Sequence, residues 1–301
     1  MTDRDWEQLA DGVFRKRFDP CDVTVTAVIG SDGVAVVDTR CSPEEGREIR
    51  EQLSGFTRAP VRWVVNTHAH YDHCWGNVEF TEARLSPPAR IWAHASVPAR
   101  LDPDDPQLRA LAARLGGQGP DWARRMARLE LAAPTELVRD GARIELGDRS
   151  LDLRFLGRGH TDGDLWIFVG PAAGSSAPGS SAPDGASPCA DVVLAGDLVE
   201  QSGPPVFGDD SFPLEWAETL DRALPMIGRD ALVIPGHGAV VDAAFVRRQR
   251  ETIGAVAAEI RRLYAAGVAV ESAVAQGTWV VEPADLHCAI ERGYAALDAG
   301  A

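Results

Sequence analysis

The chain has 301 residues, with 45 acidic against 30 basic side chains and a formal net charge of −15. Such a field repels phosphate surfaces, so neither nucleic acid nor an anionic membrane is expected as a partner. No apolar run approaches the ~18 residues of a membrane span, "MTDRDWEQLADG" has no signal-like apolar core, and the five cysteines lack Cys-x-x-Cys spacing; a cytoplasmic protein without a disulfide framework or structural zinc knot is expected.

In chain order, "VTVTAVIG" and "GVAVVDT" are short β-branched runs that predict strands. "SPEEGREIREQLSG" predicts a helix: Ser42 and Glu45 have capping-box spacing, Pro43 suits the first turn, Ile49 and Leu53 share a face, and Gly55 is the expected stop. The strand "VRWVV" follows. From Pro98 to about Thr135 apolar residues recur at helical spacing (Leu111, Leu115, Trp122, Met126), broken by "GGQGP", which predicts a helical insertion. "RSLDLRFLG", "DLWIFVG" and "DVVLAG" predict strands, "SFPLEWAETLDRALPMIG" a helix, "ALVI" a strand, and the chain beyond Asp242 mostly helix. Residues 171–190, almost all Pro, Ala, Gly and Ser, predict a flexible loop. The expected organisation is an α/β catalytic domain over 1–241, with C-terminal helices 242–301 packed on the same domain.

The chemistry concentrates where strands end. "VVNTHAHYDHCWGN" holds three of the seven histidines, and four apolar runs, far apart in sequence, stop just before His68, His160, Asp197 and His237. If these strands share an edge, their ends converge on one site. Gly159, Gly196 and Gly236 precede three of these residues, as suits sharp turns and close approach. His68 and His70, two apart in extended chain, point to one side; with His160 they make one set of three ligands. Asp72, His73 and His237 make another, and Asp197 could bridge the two. Imidazole with carboxylate suits Zn²⁺, Mn²⁺ or Fe²⁺, and three protein ligands per ion leave a position open for water, as in catalytic sites. Cys74 is expected to pack, Tyr71 and Trp75 to line the pocket, Asp162 to orient a ligand imidazole, and His94 and His287 to be ordinary residues.

"HAHYDH", "GHTDG", "AGD" and "PGHG", in this order, resemble the metallo-β-lactamase-fold superfamily over roughly residues 10–240. The resemblance implies an αββα sandwich of two mixed sheets flanked by helices, with the metals at one edge. Asp at position 197 is similar to glyoxalase II and the lactonases, and unlike the true β-lactamases. The activity that this resemblance implies is hydrolysis of a small-molecule ester, thioester, lactone or amide. Two divalent ions, zinc first with Fe or Mn as alternatives, would share a hydroxide, and Asp72 would also serve in catalysis by orienting it or relaying its proton. A mononuclear iron persulfide dioxygenase is the alternative, since "GHTDG" is shared with that class; a β-lactamase and a non-catalytic scaffold rank lower. Substrate choice is expected to fall to Trp122, Met126 and "PPVFGDDSFPLEW". A homo-oligomer is compatible with everything above.

Overall fold

The computed structural model describes residues 5–171 and 190–300; apart from its end residues, the loop expected over 171–190 lies outside the described residues. The chain separates into two compact units, residues 1–155 with 169–177, and 156–168 with 178–301.

The first unit opens with β1 (Glu7–Ala10), β2 (Val13–Phe18), β3 (Val23–Gly30) and β4 (Gly33–Val37), an antiparallel meander with Val13 opposite Val28 and Thr26 opposite Val37. Helix α1 (Pro43–Phe56) then carries the chain back so that β5 (Val61–Val65) runs parallel to β4. After α2 (Tyr71–Cys74), β6 (Arg90–His94) continues the parallel part. The short α3 (Val97–Arg100), α4 (Pro106–Gly116) and α5 (Pro120–Ala127) form the expected insertion, and β7 (Glu136–Val138) pairs parallel with β6. The hairpin β8 (Gly141–Glu145) and β9 (Arg149–Phe155) completes the unit's strands. All five residues of β4 are buried, as its unbroken apolar run requires of a strand with no water-facing side.

Helix α1 forms for the reasons its sequence carries. Ser42 Oγ accepts from Glu45 N–H, and the Glu45 carboxylate accepts at 2.8 Å from Cys41 N–H, so two otherwise unpaired donors are satisfied. Ile49 and Leu53 are buried against Val25, Val34, Val36 and Val64, each contributing roughly 1.5–3 kcal/mol. The stop differs from expectation: Gly55 stays helical, and the helix ends at Thr57, whose extended backbone sends its N–H to Leu53 O at 3.0 Å. An ordinary cap within reach makes a left-handed glycine unnecessary.

The second unit contains the start of β10 (Leu165–Pro171), then β11 (Ala190–Glu200), α6 (Trp216–Ala223) and β12 (Ile227–His237), followed by α7 (Ala243–Ala265), α8 (Val270–Gln276) and α9 (His287–Asp298). β11 and β12 are parallel, with Leu194 beside Ile234 and Glu200 beside His237. β12 outruns the expected "ALVI" at both ends because pairing with β11 holds the backbone extended through "PGH". Trp166 and Trp216 sit in a core completed by Leu220, Ile253, Ile260 and Ile290, so the C-terminal helices share this unit's apolar interior. Among the described residues, no helix is long and apolar enough to cross a membrane.

Candidate metal centre

In the first unit, four of the expected ligands lie on one closed loop. Asn66 and Asn77, at its two ends, are buried and exchange side-chain amide bonds at 2.8 and 3.0 Å; Asn66 also donates to the His73 carbonyl at 3.1 Å. Between them the backbone leaves β5, bends through Thr67, His68 and Ala69 rather than running extended as expected, and reaches His70, the residue that caps α2. This brings His68 within 4.6 Å of His70 and 4.2 Å of His73, centroid to centroid. His73 Nε2 lies 3.7 Å from Asp72 Oδ2.

The opposite edges of these rings are held by a carboxylate that the sequence pattern does not single out. Asp38, just past β4, accepts from Thr67 N–H, from the Thr67 hydroxyl and from His73 Nδ1, each at 2.8 Å. The Thr67 hydroxyl proton points at Asp38, so its oxygen accepts from His68 Nδ1 at 3.0 Å. Both imidazoles are thereby protonated on Nδ1 and offer an Nε2 lone pair, the form in which histidine binds metal. Burial pushes the Asp38 carboxyl above its ordinary range, with His73 and the Thr67 bonds pulling the other way. The one sequence signal for Asp38 is a carboxylate directly behind a fully apolar strand. Its left-handed backbone, φ 66°, is visible only in three dimensions.

In the second unit, His160 donates its Nδ1–H to the Val206 carbonyl at 3.1 Å and directs Nε2 towards Asp197 Oδ2 at 3.4 Å. His237 Nε2 lies at the same 3.4 Å from the same oxygen. A charge-assisted hydrogen bond would close to about 2.7–2.9 Å. Two ligands bound to one tetrahedral ion at about 2.0–2.1 Å instead stand roughly 3.4 Å apart. The donors therefore fit a divalent metal. The expected role of glycine holds here: Gly196 adopts φ 51°, and a Cβ on Gly236 would collide with the Asp197 carboxylate.

Glu200 is a second site residue absent from the sequence-based set. Its carboxylate, with those of Asp197 and the His237 ring, forms a group whose ligand atoms lie within 4.8 Å of one another. Burial, then the charge of Asp197, pushes its pKa up, against the bonds it accepts from Ser202 N–H and Oγ at 3.0 and 2.5 Å. Asp162 is half-buried; the carboxylate that fixes the turn after His160 is Asp164, which accepts from Thr161 N–H and Oγ1 at 2.8 Å each.

Cys74 packs as expected: its thiol donates to the Ala69 and His70 carbonyls, and burial pushes it well above its ordinary pKa. His94 stacks on Phe155 at 4.3 Å, and His287 begins α9. Tyr71, between His70 and Asp72, meets Trp75 and Trp122 edge-on at 5.6 and 5.9 Å, so the helical insertion reaches the ligand loop. In the second unit Glu200, Ser202, Phe207, His287 and Cys288 help to line a pocket of ≈ 330 Å³.

A family profile described as the metallo-beta-lactamase superfamily matches residues 18–237. Metallo-beta-lactamase type 2 of Bacillus cereus is 22% identical over 70% of this chain and 65% of its own length. The acyl-coenzyme A thioesterase MBLAC2 of Homo sapiens is 28% identical over 56% of this chain and 63% of its own. The alpha subunit of 2,4-dinitroanisole O-demethylase from Nocardioides sp. (strain JS1661) is 38% identical over 24% of this chain and 20% of its own. The chain thus spans less than two thirds of each of these relatives. Among solved structures, the stereoselective inverting sec-alkylsulfatase Pisa1 from Pseudomonas sp. superposes with a TM-score of 0.72 at 15% identity, covering 97% of this chain and 50% of that one. At that identity the likeness speaks for the fold: mixed sheets with flanking helices, as expected.

Proposed function

The chain belongs to the metallo-beta-lactamase superfamily, and from that premise we propose that it is a dinuclear metal-dependent hydrolase of a small-molecule carbonyl compound. The observation that carries this reading is Asp197 Oδ2 standing 3.4 Å from both His160 Nε2 and His237 Nε2, the position of a shared carboxylate. In the proposed assignment His68, His70 and His160 hold one ion, Asp72, His73 and His237 the other, and Asp197 both. Nitrogen and oxygen donors at tetrahedral spacing put zinc first, ahead of iron or manganese. When bound, such a pair supplies Lewis acidity at the carbonyl oxygen and lowers the pKa of water to about 7.

The protein's own groups do the rest. Asp38 and the Val206 carbonyl keep the Nδ1 protons of His73 and His160, so those rings cannot turn away. An Asp72 carboxylate oxygen takes the proton of the attacking water and returns it to the leaving atom. Tyr71, Trp122 and the segment around Phe207 supply apolar surface for the substrate's body. The human relative is named for acyl-coenzyme A thioesters and the Bacillus relative for β-lactams, so thioesters head the substrate list, with lactones, esters and β-lactams behind. The net charge of −15 favours a small molecule over nucleic acid.

Metal content of protein purified without added metal, together with hydrolysis of a thioester and lactone panel, tests the reading. About two zinc ions per chain and acid release are expected. His70→Ala should lose metal and at least about 100-fold in turnover, since a missing ligand disables the attack itself. One iron per chain with oxygen uptake on a persulfide would replace the hydrolase by a dioxygenase. No bound metal and no turnover would leave a binding scaffold.

A further inference from the structure

We propose that Cys21 and Cys41 form a thiol oxidation site, which a hydroperoxide converts to a disulfide beside the helix that carries Asp72 and His73. This goes beyond the hydrolase reading and does not depend on it. Twenty residues apart in sequence, the two sulfurs lie 3.6 Å apart. Cys21 occupies the turn between β2 and β3 and is half-buried, whereas Cys41 lies just before α1 at 1% exposure. Arg40 clamps the two segments together. Its guanidinium donates to the Asp19 carbonyl at 2.9 Å and to Glu48 at 2.6 Å, and it lies over the Phe18 ring at 4.1 Å. Asp22 and Arg40, each next to one of the cysteines, both hold left-handed backbone, φ 56° and 71°, a conformation that side-chain-bearing residues keep only where the surroundings impose it. The pair is thus positioned by the fold. Closing the gap to about 2.05 Å takes a shift of roughly 1.5 Å.

The roles of the two sulfurs differ. Contact with Cys41 lowers the Cys21 pKa, against burial and the nearby Asp72, while contact with Cys21 and burial push Cys41 up. The more accessible Cys21 therefore attacks first. Its thiolate forms an S–O bond with one peroxide oxygen, the O–O bond breaks, and the released hydroxide takes a proton to become water. The Cys41 sulfur then attacks the Cys21 sulfur, the S–S bond forms, the S–O bond breaks, and a second water leaves with the Cys41 proton. Two thiols lose two electrons and two protons, and hydrogen peroxide becomes two waters. Cys21 Sγ also touches the Tyr71 hydroxyl at 3.5 Å, so the disulfide forms directly against the first residue of α2.

The test is a peptide map of the intact protein after hydrogen peroxide, blocked with iodoacetamide and digested with trypsin without reductant. Trypsin cuts after Arg17, Arg40 and Arg47, which puts the two cysteines on peptides 18–40 and 41–47. The expected result is one joined species, two hydrogens lighter than the separate peptides and split by dithiothreitol. In Cys41→Ser, Cys21 should stop at a sulfenic acid captured by dimedone. Recovery of both peptides singly alkylated would overturn the proposal. So would Cys21 running to sulfinic acid without the joined species, or cross-links from Cys21 to Cys74 or Cys288 in equal yield. Circular dichroism on the Cys41→Ser protein checks that its fold is retained.

Discussion

Asp38 combines three effects: it orients His73, accepts the hydrogen bond of the Thr67 hydroxyl and, through that, sets the tautomer of His68. Replacing it with Ala removes all three without touching a ligand. Zinc affinity should then fall about 10–100-fold, as is usual when the partner of a metal-bound imidazole is lost; competition with a chromophoric chelator measures it. Undiminished affinity would mean that His73 is not a ligand. The seven ligand candidates are legible in sequence because histidines that close together are rare and because each separated member follows an apolar run. Asp38 and Glu200 are not. An acid after a strand resembles any turn residue, and what distinguishes these two is burial and, for Asp38, a left-handed backbone, properties of the folded chain.

Among the elements, α1 tests how far local signals carry. Ser42→Ala deletes its cap acceptor and should cost about 1 kcal/mol, seen as a fall of about 2 °C in Tm for a chain of this size. Glu259 on α7 gives a prediction in pH. Its hydrogen bonds from Arg262 and from Thr278 N–H lower its pKa from 4.5 to about 2. A carboxyl with a lowered pKa stabilises the fold above its unfolded value, and that contribution disappears as pH falls from about 4.5 to 2. Glu259→Gln should therefore flatten the loss of stability across that window in acid-unfolding curves, by a small amount because the group is near the surface. Helix starts are readable from sequence, at Ser42 and at Asp242 alike. Ends are less so: α1 passes its glycine, and β12 grows beyond its apolar stretch because its length is set by β11, a partner separated from it in sequence.

For the whole molecule, the order β-rich, α, β-rich, α and the family are legible from sequence, while the two compact units and the pocket near Glu200 depend on contacts that no local pattern encodes. On the proposed assignment the native fold holds metal that the unfolded chain does not, so a chelator should lower Tm, and restoring zinc at 100 times its dissociation constant should return about 2.7 kcal/mol. An unchanged Tm would argue against bound metal in the native protein. The ligand loop adds one more consequence. Because Asn66 and Asn77 lock its ends through paired amides, the freedom of the intervening residues is already lost when the chain folds. An arriving ion therefore meets rings that are waiting in place. Capture then carries little entropic penalty of ordering, and the speed at which the site fills should be governed by how readily the ion sheds its own water, a limit set by inorganic chemistry and not by protein motion.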